Sequence, residues 1–205
     1  MSKLYFVQSP MNSSKSALLL MKAYSFEERG IQFLCIKPMI DNRDGIDEIV
    51  SRVGIKRECL TIEPKENVYE LILRCITAMQ MQLVQTPSWI LVDESQFLSK
   101  EQVEQLARVV DELDINVMCY GLRTDFTTNL FEGSKRLLEL ADDIDEVKIS
   151  CSCGRKAIIN ARVDSNGKII TNGEQIMIGG NESYIPLCRK CYNEIIKNNV
   201  NVKQF

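Results

Sequence analysis

Residues 9–16 read Ser-Pro-Met-Asn-Ser-Ser-Lys-Ser, directly behind the apolar run Leu4-Tyr5-Phe6-Val7 and ahead of Ala17-Leu18-Leu19-Leu20-Met21. A strand that ends in a turn carrying Lys-Ser, and then opens a helix, is the layout of a phosphate-binding loop. The backbone N–H groups of such a turn and of the helix N-terminus cradle polyphosphate. Lys15 would reach the β- and γ-phosphates, and the Ser16 hydroxyl would ligate Mg²⁺. The standard pattern wants Gly at positions 9 and 14, and both are Ser here. On the loop alone, a serine-rich turn with a chance lysine stays open, so the rest of the chain must decide.

Working outward, residues 3–8 read as a buried strand, and a helix runs from near Lys15 to Arg29 with Gly30 as its stop. A second strand spans 31–36. Residues 38–66 are polar and read as a long irregular loop holding Asp41-Asn42-Arg43. Val68, Leu71, Ile72, Cys75, Ile76 and Met79 recur at helical spacing within 67–84. A third strand, 89–92, closes on Asp93-Glu94. A helix at 100–113 follows, N-capped by Ser99, then a fourth strand at 116–120, a helix at 133–141 and a fifth strand at 144–149. Strands alternating with helices imply an α/β fold: a parallel sheet covered by helices on both faces. After about residue 150 the pattern changes to a hairpin around Asp164-Ser165-Asn166-Gly167 and a glycine pair at Gly179-Gly180. The expected division is 1–149 as the nucleotide-binding domain and 150–205 as a small second domain.

Composition narrows the chemistry. The 205 residues bring eight Cys and no His, and a net charge of −3. Without His, Ser-His-Asp and Cys-His catalysis are excluded, and any general base must be Asp, Glu, Lys, Tyr or Cys. The negative charge argues against a dedicated nucleic-acid binder. No apolar run approaches a membrane span and no signal segment opens the chain, so a cytoplasmic protein is expected. Cys35, Cys59, Cys75 and Cys119 lie in apolar stretches and read as buried small hydrophobes.

Two further constellations carry chemistry. Asp93-Glu94-Ser95-Gln96-Phe97 stands at the C-terminal end of an apolar strand, where the ligand crevice of an open α/β sheet lies. An Asp there supports Mg²⁺, and Glu94 is the best candidate to take a proton from an attacking hydroxyl. An N-cap cluster is the plain alternative. Cys151-x-Cys153 and Cys188-x-x-Cys191 form two close pairs, the pattern of a four-thiolate structural zinc site. Zinc would tie down a segment too small for its own core. Reduced structural thiols or a disulfide remain the alternative.

Taken in order, Met11-Asn12 with Lys15-Ser16, Asp41-Asn-Arg43, Asp93-Glu94-Ser-Gln96-Phe97, Tyr120-Gly-Leu-Arg-Thr-Asp-Phe126 and Gly179-Gly-Asn-Glu-Ser-Tyr184-Ile-Pro-Leu-Cys188-Arg-Lys-Cys191 resemble the type II thymidine kinases over nearly the whole chain. The resemblance implies transfer of the γ-phosphate of ATP to the 5′-hydroxyl of thymidine, in the salvage of DNA precursors. It implies a P-loop α/β domain followed by a zinc-bound domain with a lasso loop over the nucleoside. It further implies a homotetramer inhibited by thymidine triphosphate. By position, ATP and its phosphates would lie along Ser9, Pro10, Met11, Asn12, Ser13, Ser14, Lys15 and Ser16, and along Asp93, Glu94, Ser95 and Gln96. Mg²⁺ would be held by Ser16 and supported by Asp93. Glu94 would be the catalytic base, Arg43 would align the reacting groups, and Asp41 would bind the sugar. Met11, Phe97, Leu122, Phe126 and Tyr184 would line the thymine pocket. The backbone of Gln175, Ile176, Met177, Ile178 and Gly179 would read the edge of the base. Cys151, Cys153, Cys188 and Cys191 would hold zinc.

Two departures from the family pattern bear on function. Ser14 stands where most members carry glycine, so it would crowd the phosphates or resist the backbone geometry required there. That opens a second reading, a catalytically weakened relative that binds nucleoside or nucleotide. The Cys151-x-Cys153 spacing is one residue shorter than usual. A third reading, the cysteine-rich end as a zinc module for nucleic acid, is disfavoured by the net charge.

Overall fold

A computed structural model describes residues 1–39, 47–175 and 184–202. The apolar runs assemble into a six-stranded, all-parallel sheet of β1 (Leu4–Ser9), β2 (Phe33–Pro38), β5 (Leu60–Ile62), β6 (Trp89–Val92), β7 (Asn116–Leu122) and β8 (Asp143–Glu146), in the order β5-β2-β6-β7-β1-β8. Side-chain alternation along each strand sorts the core into two layers. Leu4, Phe6, Ile36, Ile90, Val92, Val117 and Cys119 point to one face. There they meet Val68, Ile72 and Ile76 of α2 (Val68–Met81), Val103, Leu106, Val109 and Val110 of α3 (Lys100–Leu113), and Leu137 of α4 (Glu132–Leu140). Val7, Cys35, Leu91, Met118 and Tyr120 point to the other face and meet Leu19, Leu20, Ala23 and Phe26 of α1 (Lys15–Glu28).

The helix punctuation is local. Gly30, at φ 66, ends α1 by letting the Gly30 and Ile31 N–H groups reach back to Glu27 and Phe26 at 2.9 Å each. Ser99 and Gln102 form a reciprocal capping box on α3.

Residues 38–66 do not form one irregular loop. The described part holds a two-stranded ribbon of β3 (Glu48–Val50) and β4 (Lys56–Glu58), and β5 pairs with β2 as a sheet edge. Each is only three residues long, too short for a period to show. The fifth strand expected at 144–149 lies at Asp143–Glu146 instead, where it pairs with Tyr5 to Gln8 of β1. Cys35 and Cys119 are buried as expected, whereas Cys59 and Cys75 are half-buried. Cys59 sits at the sheet edge and Cys75 on the flank of α2.

Beyond β8 a three-stranded antiparallel sheet forms from β9 (Ile159–Val163), β10 (Ile169–Ile170) and β11 (Tyr184–Leu187), ordered β10-β9-β11, followed by α5 (Arg189–Asn198). Its small core gathers Ala157, Ala161, Leu187 and Ile195 around Cys151, Cys188 and Cys191. Among the described residues, no helix is long and apolar enough to cross a membrane.

Candidate active site

The loop between β1 and α1 turns twice through the left-handed region, at Asn12 (φ 64) and Ser14 (φ 62). Ser14 is the N-cap of α1, and its carbonyl accepts the Leu18 N–H at 3.0 Å while its hydroxyl makes no capping bond. The glycine of the standard pattern is thus replaced where glycine's conformational freedom matters. The other replacement has a different effect: the Ser9 hydroxyl hydrogen-bonds the Ser13 hydroxyl, which donates to the Pro10 carbonyl at 2.9 Å. Lys15 is buried, its ammonium 3.2 Å from the same carbonyl. The loop is tied outward as well. Arg52, on the β3–β4 turn, donates to Asn12 Oδ1 at 2.7 Å, and Asn12 Nδ2 donates to the Tyr184 carbonyl at 3.2 Å.

Asp93 directly follows β6 and is buried beside this loop, within hydrogen-bond reach of Ser16. Burial first, and then the neighbouring Glu94 carboxylate, push its carboxyl up to about 7, against the opposing pull of the Ser16 hydroxyl, the Glu94 N–H and Lys15. The Ser16–Asp93 hydrogen bond brings together the two residues assigned to Mg²⁺ on sequence grounds. Glu94 follows in a left-handed conformation, φ 49. That is a strained geometry for a non-glycine residue. Gln96 clamps it: Nε2 donates to Glu94 Oε2, and Oε1 accepts the Leu122 N–H at 3.0 Å. Ser95 Oγ donates to the Tyr120 carbonyl at 3.0 Å. These bonds need Gly121, where a Cβ would stand 2.5 Å from Ser95 Oγ and 3.0 Å from Gln96 Oε1.

Of the residues assigned to a base pocket, Leu122, Phe126 and Tyr184 are buried, while Phe97 is half-buried with its ring edge-on to Phe131 at 5.8 Å. Gln175 donates from Nε2 to Asp125 Oδ2 at 2.8 Å. The other Asp125 oxygen collects Thr127 N–H at 2.8 Å, Thr127 Oγ1 at 2.7 Å and Asn129 N–H at 3.0 Å, which pins the turn after β7. Asp41, Arg43, Ile176, Met177, Ile178 and Gly179 lie outside the described residues.

Two buried residues that sequence reasoning passed over tie β9 to its surroundings, Asn160 to the phosphate loop and Arg162 to aromatic residues. Asn160 accepts the Met11 N–H at 2.7 Å and donates to the Thr124 carbonyl at 2.8 Å. Arg162 lies over the rings of Phe126 and Tyr184, 4.5 and 5.6 Å from their centroids. Their signal in Ala157-Ile158-Ile159-Asn160-Ala161-Arg162-Val163 is the alternation of polar with apolar residues, which reads as an ordinary solvent-facing strand side.

The four C-terminal cysteines converge, with all ligand atoms within 4.8 Å of one another. Tetrahedral zinc with Zn–S near 2.3 Å sets sulfur–sulfur separations of about 3.8 Å, and Cys153 Sγ and Cys188 Sγ are 3.7 Å apart. Burial works to raise the Cys151 thiol. The backbone N–H groups of Cys153 and Cys188 and its neighbouring side chains outweigh that and bring it down to about 6. The Cys188 thiol is lowered chiefly by the Cys191 N–H. The Cys191 thiol is pushed the other way, up, by burial first and then by the neighbouring cysteines, so the convergence of the four sulfurs carries the assignment: donor set and spacing fit structural zinc, the short Cys151-x-Cys153 spacing included.

The family profile described as thymidine kinase matches residues 2–192. A thymidine kinase of Legionella pneumophila is 46% identical over 192 residues, covering 94% of this chain and 90% of the relative. One from Shewanella oneidensis is 47% identical over 196 residues, covering 96% and 99%. One from Ruegeria pomeroyi is 47% identical over 194 residues, covering 95% of each.

Proposed function

Because the chain belongs to the thymidine kinase family and has thymidine kinase activity, we propose a division of labour among its residues for moving the γ-phosphate of ATP to the 5′-hydroxyl of thymidine. The observation that carries it is Glu94, held in a strained left-handed turn by Gln96 beside the buried Asp93–Ser16 pair. Such strain persists where surrounding structure over-determines it, as at reacting centres.

In this reading the loop from Ser9 to Ser16 holds the phosphates through the N–H groups of its Asn12–Ser16 part and the α1 N-terminus, and Lys15 offsets their charge. Ser16 and Asp93 offer hard oxygen donors suited to Mg²⁺, which when bound neutralises charge on the β- and γ-phosphates. Glu94 accepts the proton of the thymidine 5′-hydroxyl as that oxygen attacks the γ-phosphorus. With little covalent chemistry left to the protein, most of the acceleration comes from positioning and charge stabilisation. Arg43 aligns the reacting groups and Asp41 takes the sugar hydroxyl. Met11, Phe97, Leu122, Phe126 and Tyr184 enclose the thymine. The backbone of 175–179 pairs with its polar edge, since N–H and C=O groups need partners once water is excluded.

The reading extends to organisation. Residues 1–149 carry nucleotide binding, and residues 150–205, stapled by zinc, carry the loop over the nucleoside. A homotetramer in the cytoplasm, restrained by thymidine triphosphate, completes it. The deciding experiment is phosphorylation of the common deoxynucleosides with ATP and Mg²⁺, on the native chain and on Glu94→Gln. Thymidine is the expected acceptor, and the variant should bind thymidine while losing about 10²–10⁴-fold in turnover. Near-normal turnover in Glu94→Gln would sink the assignment of the base.

A further inference from the structure

Strand β9 has two working faces. Ile159, Ala161 and Val163 alternate with Asn160 and Arg162, and all five are buried. Ala161 packs into the cysteine-bearing core. The alternate side meets the segments that follow β1 and β7, with Asn160 on the phosphate loop and Arg162 among the aromatic residues. A polar strand side normally goes to water; this one is enclosed.

Arg162 is only 4% exposed, yet it has no carboxylate partner among the described residues. Nη1 donates to the Glu174 carbonyl at 3.2 Å, while Nε and Nη2 are buried with no hydrogen-bond partner among the described residues. A guanidinium kept there merely to fill space would be a poor choice, because an apolar side chain of similar length avoids the desolvated donors. Its planar face is what the surroundings use. Arg162 stands directly opposite Tyr184 in the antiparallel register, so both side chains leave the sheet on the same side. The guanidinium carbon lies 4.5 Å from the Phe126 ring centroid and 5.6 Å from that of Tyr184. Gly173 borders the pair at φ 142, a backbone conformation that side-chain-bearing residues rarely adopt.

We propose that Arg162 is the positioning residue of the nucleoside pocket: its planar cation holds the rings of Phe126 and Tyr184 in place and, through the Glu174 carbonyl, fixes the backbone at Glu174. The inference rests on the reading of Phe126 and Tyr184 as walls of the thymine pocket. It assigns Arg162 no contact with the phosphates. The loss on replacing it therefore falls on nucleoside binding and not on ATP. Lysine is not an adequate substitute, since an ammonium cannot stack flat on a ring or donate as a rigid fork.

The test compares Arg162→Lys, Arg162→Met and Phe126→Leu in steady-state kinetics with the intact zinc-loaded protein, with thermal midpoint and zinc content measured on each. Both Arg162 variants should raise the KM for thymidine by about tenfold, the scale of a desolvated cation–π contact. KM for ATP should stay within about twofold, since the phosphate loop is not reached by this side chain. Arg162→Met avoids buried unpaired donors and should keep its thermal midpoint, so the KM effect is read in a folded protein. An unchanged thymidine KM in both Arg162 variants, with Phe126→Leu raising it, would overturn the role of Arg162 alone. An unchanged value in all three would remove the pocket reading and this inference with it. A parallel rise in KM for ATP would also overturn it, by showing a merely structural residue.

Discussion

The side-chain oxygen of Asn160 accepts the backbone N–H of Met11 at 2.7 Å, across 149 positions of chain. The same side chain donates to the Thr124 carbonyl at 2.8 Å, so one buried amide joins β9 to the phosphate loop and to the turn after β7. The geometry of the loop therefore depends on a strand whose other face packs into the core around the cysteines.

Asn160→Leu leaves the Met11 N–H and the Thr124 carbonyl without partners. A buried group stripped of its partner costs about 1–3 kcal/mol, and each kcal/mol lowers the thermal midpoint by about 2–4 °C at this chain length. The variant should melt several degrees lower and show a raised KM for ATP. Thermal melts and steady-state kinetics check it, and an unchanged ATP KM would dissociate Asn160 from the loop.

Ser14→Gly places at φ 62 the one residue that adopts that conformation without a steric penalty. The left-handed region costs other residues about 1–2 kcal/mol. The variant should be more stable by roughly 1 kcal/mol, read as a thermal midpoint about 2–4 °C higher. Its KM for ATP should be equal or lower. A large gain in turnover, in place of a small gain in stability, would mean that Ser14 cripples the native loop.

Asp93→Asn should separate stability from activity. The raised carboxyl pKa, caused first by burial and then by Glu94, means that the folded chain holds this proton more tightly than the unfolded chain. The associated stability is present below the ordinary Asp value near 4 and is lost as pH rises through about 7. In melts without nucleotide or Mg²⁺, the variant should gain on the native chain across that interval, and the gap should level off above it. Turnover should fall by at least about a hundredfold for loss of metal support. A variant less stable at high pH than at low pH, relative to native, would contradict the sign.

Gly121→Ala drives a Cβ to 2.5 Å from Ser95 Oγ, beside the Gln96 clamp on Glu94. Overpacking of this kind costs about 1–3 kcal/mol. Turnover should fall more than KM rises, because the disturbed residue carries the reacting proton. A KM-only effect would point away from Glu94.

Cys153→Ser removes the exposed member of the cysteine tetrad. Zinc content per chain should drop, and amide exchange in β9 and α5 should quicken, because metal binding and folding of so small a core are one equilibrium. Unchanged zinc content would exclude Cys153 as a ligand.

Much of this was legible in the order of residues. The 3.6-residue period of Val68, Ile72 and Ile76 marks α2, and the runs ending at Ser9 and Val92 mark two central strands with chemistry at their C-terminal ends. The three-residue strands β3, β4 and β5 were not legible, because no period shows over so short a span. The roles of Gly121 and Gln96 were hidden as well, since each acts through a neighbour brought in from another element.

The sequence by itself determined the α/β alternation, the Lys-Ser turn, the Asp93-Glu94 pair and the two cysteine pairs, since each is a local pattern whose chemistry follows from spacing. Only the tertiary structure decided that Ser14 sits in a left-handed turn and that Asp93 is buried against Ser16. It also decided that the polar side of β9 faces protein and not water. The reason is physical: alternation says which residues share a strand face, but what lies against that face depends on contacts between segments up to 149 positions apart.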